Sequence, residues 1–83
     1  MYKGKILDLD NVSYLVLEET KYGSRNIVLL AVVDTEKDYI DVDNLAIKEL
    51  VDNNGSLEVV SLENDIEITE LSKLLGNKLI SNL

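Results

Sequence analysis

Five carboxylates fall within ten residues, Asp34, Glu36, Asp38, Asp41 and Asp43, with Lys37 the only cation among them. Three chemistries fit such a run. Clustered carboxylate oxygens suit a hard cation, but a calcium loop of the EF-hand kind beginning at Asp34 would place its turn glycine and closing glutamate where Tyr39 and Leu45 stand. Carboxylates at alternate positions of an extended chain repeat at about 6.6–6.8 Å on one face, a spacing close to that of phosphates along a nucleic-acid strand. Such a row suits the basic groove of a nucleic-acid-binding protein. The third reading is a solvated turn, kept soluble and unpaired by its charge.

Acid–base catalysis by paired carboxylates is a weaker case. Glu18 and Glu19 are neighbours, and neighbours on a strand point to opposite faces. Asp8 and Asp10 fall in a turn-rich stretch with no apolar pocket evident around them. Histidine and cysteine are both absent, which removes the usual general base, the usual thiol nucleophile and the usual transition-metal ligands. The four glycines form no phosphate loop and no nucleophile elbow. The expectation is a chain without enzymatic activity, metal or cofactor. Tyr22 and Arg25, near one loop, are of types enriched at binding hot spots, although simple loop exposure also accounts for them.

Sixteen acidic against eight basic residues give a net charge of −8, which repels DNA, RNA and anionic lipid surfaces. The cations are scattered rather than patched. At 83 residues with 46% apolar side chains, residues 1–83 read as a single folded domain rather than an acidic tail. No cysteine means no disulfide framework, and no apolar run suits a secretion signal or a membrane span. The expected setting is the cytoplasm.

The elements that must position these carboxylates are mostly strands. Lys3–Asp8 alternates and ends in Asp8-Leu9-Asp10-Asn11, a turn. Val12–Thr20 is free of breakers, and Tyr22-Gly23-Ser24-Arg25 reads as a loop. The seven apolar residues Ile27–Val33 predict a central strand covered on both faces. Residues 44–51 fit either a short helix capped by Asp43 or a strand. The Asn-Gly at 54–55 between two aliphatic runs favours a hairpin. Ile68, Leu71, Leu75 and Leu79 recur at helical spacing, predicting an amphipathic helix over about 65–80. It would start at Asp65 or, with Thr69 as cap, later, and Gly76-Asn77 could end or fray it. The fold class is therefore α+β: a small, mostly antiparallel sheet of about five strands, bent in the manner of SH3-like barrels, with one C-terminal helix.

The run Gly4-Lys5-Ile6, Asp10-Asn11-Val12-Ser13-Tyr14-Leu15-Val16-Leu17-Glu18, Tyr22-Gly23-Ser24, Ile27-Val28-Leu29-Leu30 and Val33-Asp34-Thr35-Glu36-Lys37-Asp38 resembles small acidic β-rich proteins of low-GC Gram-positive bacteria and their phages and mobile elements. The resemblance brings no catalytic residues and implies a bacterial or phage setting. By analogy with small acidic phage proteins, it suggests an inhibitor of a nucleic-acid-handling protein, anti-CRISPR-like or DNA-mimicking. The expected function is a non-enzymatic binding protein that meets a basic protein partner through Asp34, Glu36, Asp38, Asp41 and Asp43 with Glu18, Glu19, Tyr22 and Arg25. The rival is an assembly subunit that forms a homodimer or docks through its helix stripe or a sheet edge.

Overall fold

The computed structural model describes residues 2–34, 36–37 and 39–81, and leaves aside the side chains of residues 39 and 41–44. Five strands, β1 (Ile6–Leu9), β2 (Val12–Tyr22), β3 (Arg25–Asp34), β4 (Tyr39–Asn53) and β5 (Ser56–Ser61), precede one helix, α1 (Asp65–Ser81). The strands form an antiparallel meander in chain order.

Turn chemistry explains the order. Asp10 (φ 51°) and Asn11 (φ 66°) form a two-residue turn between paired Leu9 and Val12, and Asn54 (φ 55°) and Gly55 (φ 88°) do the same between Asn53 and Ser56. Two successive positive φ values are the turn whose twist matches paired strands, and Asn, Asp and Gly tolerate it best. The hairpin reading of residues 44–61 therefore holds, and 44–51 is strand. The loop expected over 22–25 is tighter than anticipated: Tyr22 already pairs with Arg25, leaving only Gly23 and Ser24 in the turn. The first strand begins later than its alternation suggested, because Lys5 N–H donates to Tyr2 O at 2.9 Å and closes a turn over residues 2–5.

Two irregularities bend the sheet. In β2 the register passes from Val16↔Leu30 to Glu18↔Leu29, leaving Leu17 as an extra residue. In β4 it passes from Leu45↔Ala31 to Asp41↔Val32, so residues 42–44 are extra on that strand. Bulges increase local twist and curl, and here they accompany a half-barrel. The bulge in β4 is also why Asp43 and Asn44 interrupt the apolar pattern of residues 39–51.

The central strand is covered on both sides, as the unbroken apolar run requires. On the concave face Val16, Val28, Leu30 and Leu50 are buried with Leu7 from β1 and Leu57 and Val59 from β5. On the convex face Ile27 and Leu29 pack with Leu71 and Leu75 of α1. No aromatic ring is fully buried among the described residues.

The helix is capped by Asn64, whose Oδ1 accepts from Ile66 N–H (3.0 Å) and Glu67 N–H (3.1 Å). Thr69 is not the cap; its hydroxyl donates back to Asp65 O inside the helix. Gly76-Asn77 does not end the helix either, since Leu75 and Leu79 hold both flanks against the sheet.

Two glycines give a paired prediction. A Cβ would meet nothing within 4 Å at either Gly55 or Gly76, so only the backbone decides the effect. Gly55→Ala forces alanine into left-handed space and should cost roughly 1 kcal/mol. Gly76→Ala, inside the helix, should gain up to about 1 kcal/mol. Thermal melts should move in opposite directions, and shifts of the same sign would contradict these two backbone assignments.

Candidate functional site

Register decides which carboxylates share a place. Ser13 of β2 pairs with Asp8 on one side and Val33 on the other, and Val33 pairs with Ile40. The β1–β2 and β3–β4 turns therefore emerge at the same end of the sheet. Asp8, Asp10, Asp34 and Glu36 gather there, with Lys37 the one cation among the described residues of these turns. The row Asp8–Ser13–Val33–Ile40 crosses three strand spacings, about 14 Å, so at low salt, where the Debye length reaches about 30 Å, these charges act as one field.

Local hydrogen bonds hold the acids in place. Asp34 Oδ1 accepts from the backbone N–H groups of Glu36 and Lys37, both at 3.1 Å, which fixes the start of the turn. Asp8 Oδ1 accepts from the Ser13 hydroxyl across the first hairpin. Asp10 and Glu58 both line a cavity of about 280 Å³, together with Leu9, Ser56 and Leu57 of β1 and β5. Asp38 lies outside the described residues, as do the side chains of Asp41 and Asp43; the backbone at Asp41 pairs with Val32, at this same end.

The other expected site residues stand elsewhere. Glu18 and Glu19 pair with Leu29 and Val28, on opposite sheet faces, as neighbours on a strand must. Both are occupied within the fold. The Glu18 side chain is only 3% exposed and its Oε1 lies 2.7 Å from Lys3 Nζ. Glu19 Oε1 accepts from Tyr2 N–H (2.7 Å) and Lys3 N–H (3.0 Å). Together they fasten the N-terminal turn, so Glu18 cannot present its charge to a partner; burial without pairing would be too costly for a carboxylate at that position. An open groove of about 880 Å³ runs here between Lys3, Glu18, Glu19 and the α1 residues Leu74, Asn77 and Lys78. Lys78 Nζ donates to Glu19 O at 3.1 Å.

Tyr22 and Arg25 flank the β2–β3 turn, at the far end of β2 and about 30 Å from the acidic turns. Arg25 is a fastener too. Its Nε donates to Glu49 Oε1 at 2.9 Å, and a second guanidinium nitrogen donates to Glu67 Oε1, tying β3 to β4 and to the first turn of α1. The guanidinium carbon also sits 5.9 Å from the Tyr22 ring centre, within cation–π range. The hydrogen bonds to Glu67 and then Glu49 push the Arg25 pKa above its ordinary value. Arg25→Gln should lower the melting temperature, and added salt should narrow the gap between the two proteins, since it screens what only the native chain has. A melting temperature unchanged at low salt would remove Arg25 from this role.

Among the described residues no group of three or more carboxylates converges in a way that could hold a metal ion, and no helix is long and apolar enough to cross a membrane. What the acidic end can do is attract and orient a cationic surface. Asp8 and Asp10 were not legible as part of it, because their membership depends on strand register. Asp10-Asn11 between two strand-like runs was the only advance signal. Compared with protein-family models, curated proteins and solved structures, the chain matches none.

Proposed function

We propose that this chain is a non-enzymatic binding protein whose acidic end engages a basic protein. The observation that supports this reading is the gathering of Asp8, Asp10, Asp34 and Glu36 at one end of the sheet, while Lys3, Lys21, Arg25 and Lys78 lie toward the other. A predominantly negative field of this kind steers a cationic partner and rejects anionic ones. In its sharpest form the protein is encoded by a phage or mobile element, works in the bacterial cytoplasm, and occupies the nucleic-acid groove of a host protein.

The assembly reading retains one supporting observation. Among the described residues β5 pairs only with Lys48–Asn53, so the Tyr39–Ile47 length of β4 has no strand partner on that side. An edge of this kind can accept a strand from another chain. The helix stripe gives that reading no help, because Leu71 and Leu75 are spent on the chain's own sheet.

The test is retention of proteins from a bacterial lysate on the immobilised chain, at low and at high salt. A basic nucleic-acid-binding protein, retained at low salt and released by high salt, is the expected result. Retention that is indifferent to salt would overturn the electrostatic reading.

A further inference from the structure

We infer that the convex sheet face beside α1 is a docking platform for a basic amphipathic helix of the partner; this rests on the acidic-end reading and gives it an apolar centre. Ile6, Leu15, Ala31 and Leu45 are direct register partners across β1, β2, β3 and β4. Val33 and Ile40 continue the surface one row nearer the acidic turns. These residues share the face that α1 covers, because each strand places them two positions from a residue packed against the helix: Leu15 from Leu17, Ala31 from Leu29, Leu45 from Ile47.

The flanks of this part of the face are open among the described residues, while Ala31 between them is buried. Ile6 is 57% exposed, Leu45 44% and Ile40 41%. Aligned exposed aliphatics on one face mark an interaction surface more often than isolated ones do. The shape suits a helix. Two rows of a strand face are about 6.6 Å apart and four strands span about 14 Å, which is the footprint of two to three helical turns. α1 already fills the next rows in this manner, seating Leu71 and Leu75 over Ile27 and Leu29.

Charge selects the occupant. Asp8 lies in the second row of this same face, and Glu36 stands in the turn beyond, whereas Asp34, next to Val33 on the strand, belongs to the opposite face. A second copy docked on this face would bring another chain of net charge −8 beside these acids, a repulsion that a basic helix does not meet. A helix with aliphatic residues along one stripe and lysines or arginines at its margins satisfies both the rows and the rim.

The experiment uses two synthetic peptides of about 15 residues, long enough for a marginal helix in water. One carries Leu and Lys at helical spacing; the other keeps the lysines and replaces every Leu by Ser. Methyl and amide NMR on the full chain reads where each binds. The Leu/Lys peptide should bind roughly tenfold or more tightly than the Ser/Lys peptide, as expected when even one apolar anchor is buried. It should shift Ile6, Leu15, Val33, Ile40 and Leu45. The I6S/L45S double variant should lose that advantage while keeping its melting temperature, because both side chains are exposed. Equal binding of the two peptides at the acidic turns alone would overturn the platform and leave the acidic end standing. Binding of neither would overturn both. Sedimentation of a dimer that L45S breaks would assign the face to a second copy and overturn the helix. The peptide comparison on the native chain does not depend on whether the variant folds.

Discussion

Replacing Asp8 and Glu36 together by lysine is expected to weaken retention of a basic partner by roughly 10²-fold at low salt, through attraction lost and repulsion gained at two positions. Both side chains are exposed, and each belongs to a turn that register brings to the same end of the sheet. Each reversal is worth two units, so the pair takes the net charge from −8 to −4. The matched control reverses Glu63 and Glu70, which are exposed at and near the start of α1 and leave the same net charge. If binding depends on where the field lies, the control should change it much less. Equal losses would mean that only overall charge matters, and no loss from either would dismiss the acidic interface. Asp34 and Asp10 are left intact because Asp34 holds its turn and Asp10 sits at positive φ. The association rate should carry most of the change and should fall steeply with ionic strength.

Leu75→Ala is expected to cost about 2–5 kcal/mol, the usual range for deleting a fully buried leucine. Leu75 has no exposed surface and packs with Leu71, Ile27 and Leu29, where the helix meets the sheet. A domain of 83 residues has a total stability of about 4–12 kcal/mol, so this one truncation could use most of it. At about 4–8 °C per kcal/mol for a small domain, the melting temperature should fall by at least roughly 10 °C. The reason is structural economy: among the described residues α1 and Leu62 cover the convex core, and the buried side chains are aliphatic apart from Glu18. Ile80→Ala, at a residue 67% exposed, should change stability by less than about 0.5 kcal/mol. A loss at Leu75 no larger than that at Ile80 would mean that the helix is not seated as described.

Several elements could be read directly from residue order. The seven-residue apolar run at 27–33 suggested a strand covered on both faces; the run is strand, buried over 27–31 and half-buried at Val32 and Val33. The spacing of Ile68, Leu71, Leu75 and Leu79 defined a helix, and the two central members are its buried residues. Asn54-Gly55 announced a hairpin turn because few other residues accept two positive φ values in succession. Where local signals competed, tertiary contacts won. Gly76-Asn77 looked like a helix end, but the leucines on either side of it pack onto the sheet. Residues 42–44 looked like an interruption because they are one: they are extra in β4, and no local rule reports a bulge.

The candidate site was legible only in part. The density of acids at 34–43 is a property of sequence neighbours and needed no structure. Glu18 and Glu19 looked available because a composition count cannot see that Lys3 and the backbone of Tyr2 and Lys3 already occupy them. Arg25 looked like a hot spot for the same reason; its partners Glu49 and Glu67 are 24 and 42 residues away in the chain. Periodicity, turn chemistry and charge act over a few residues, so residue order alone determined the elements, their faces and the sign of the surface. Pairing acts across the chain, so only the folded sheet decided which acids stand together, which are spent as internal fasteners, and which exposed aliphatics align across its strands.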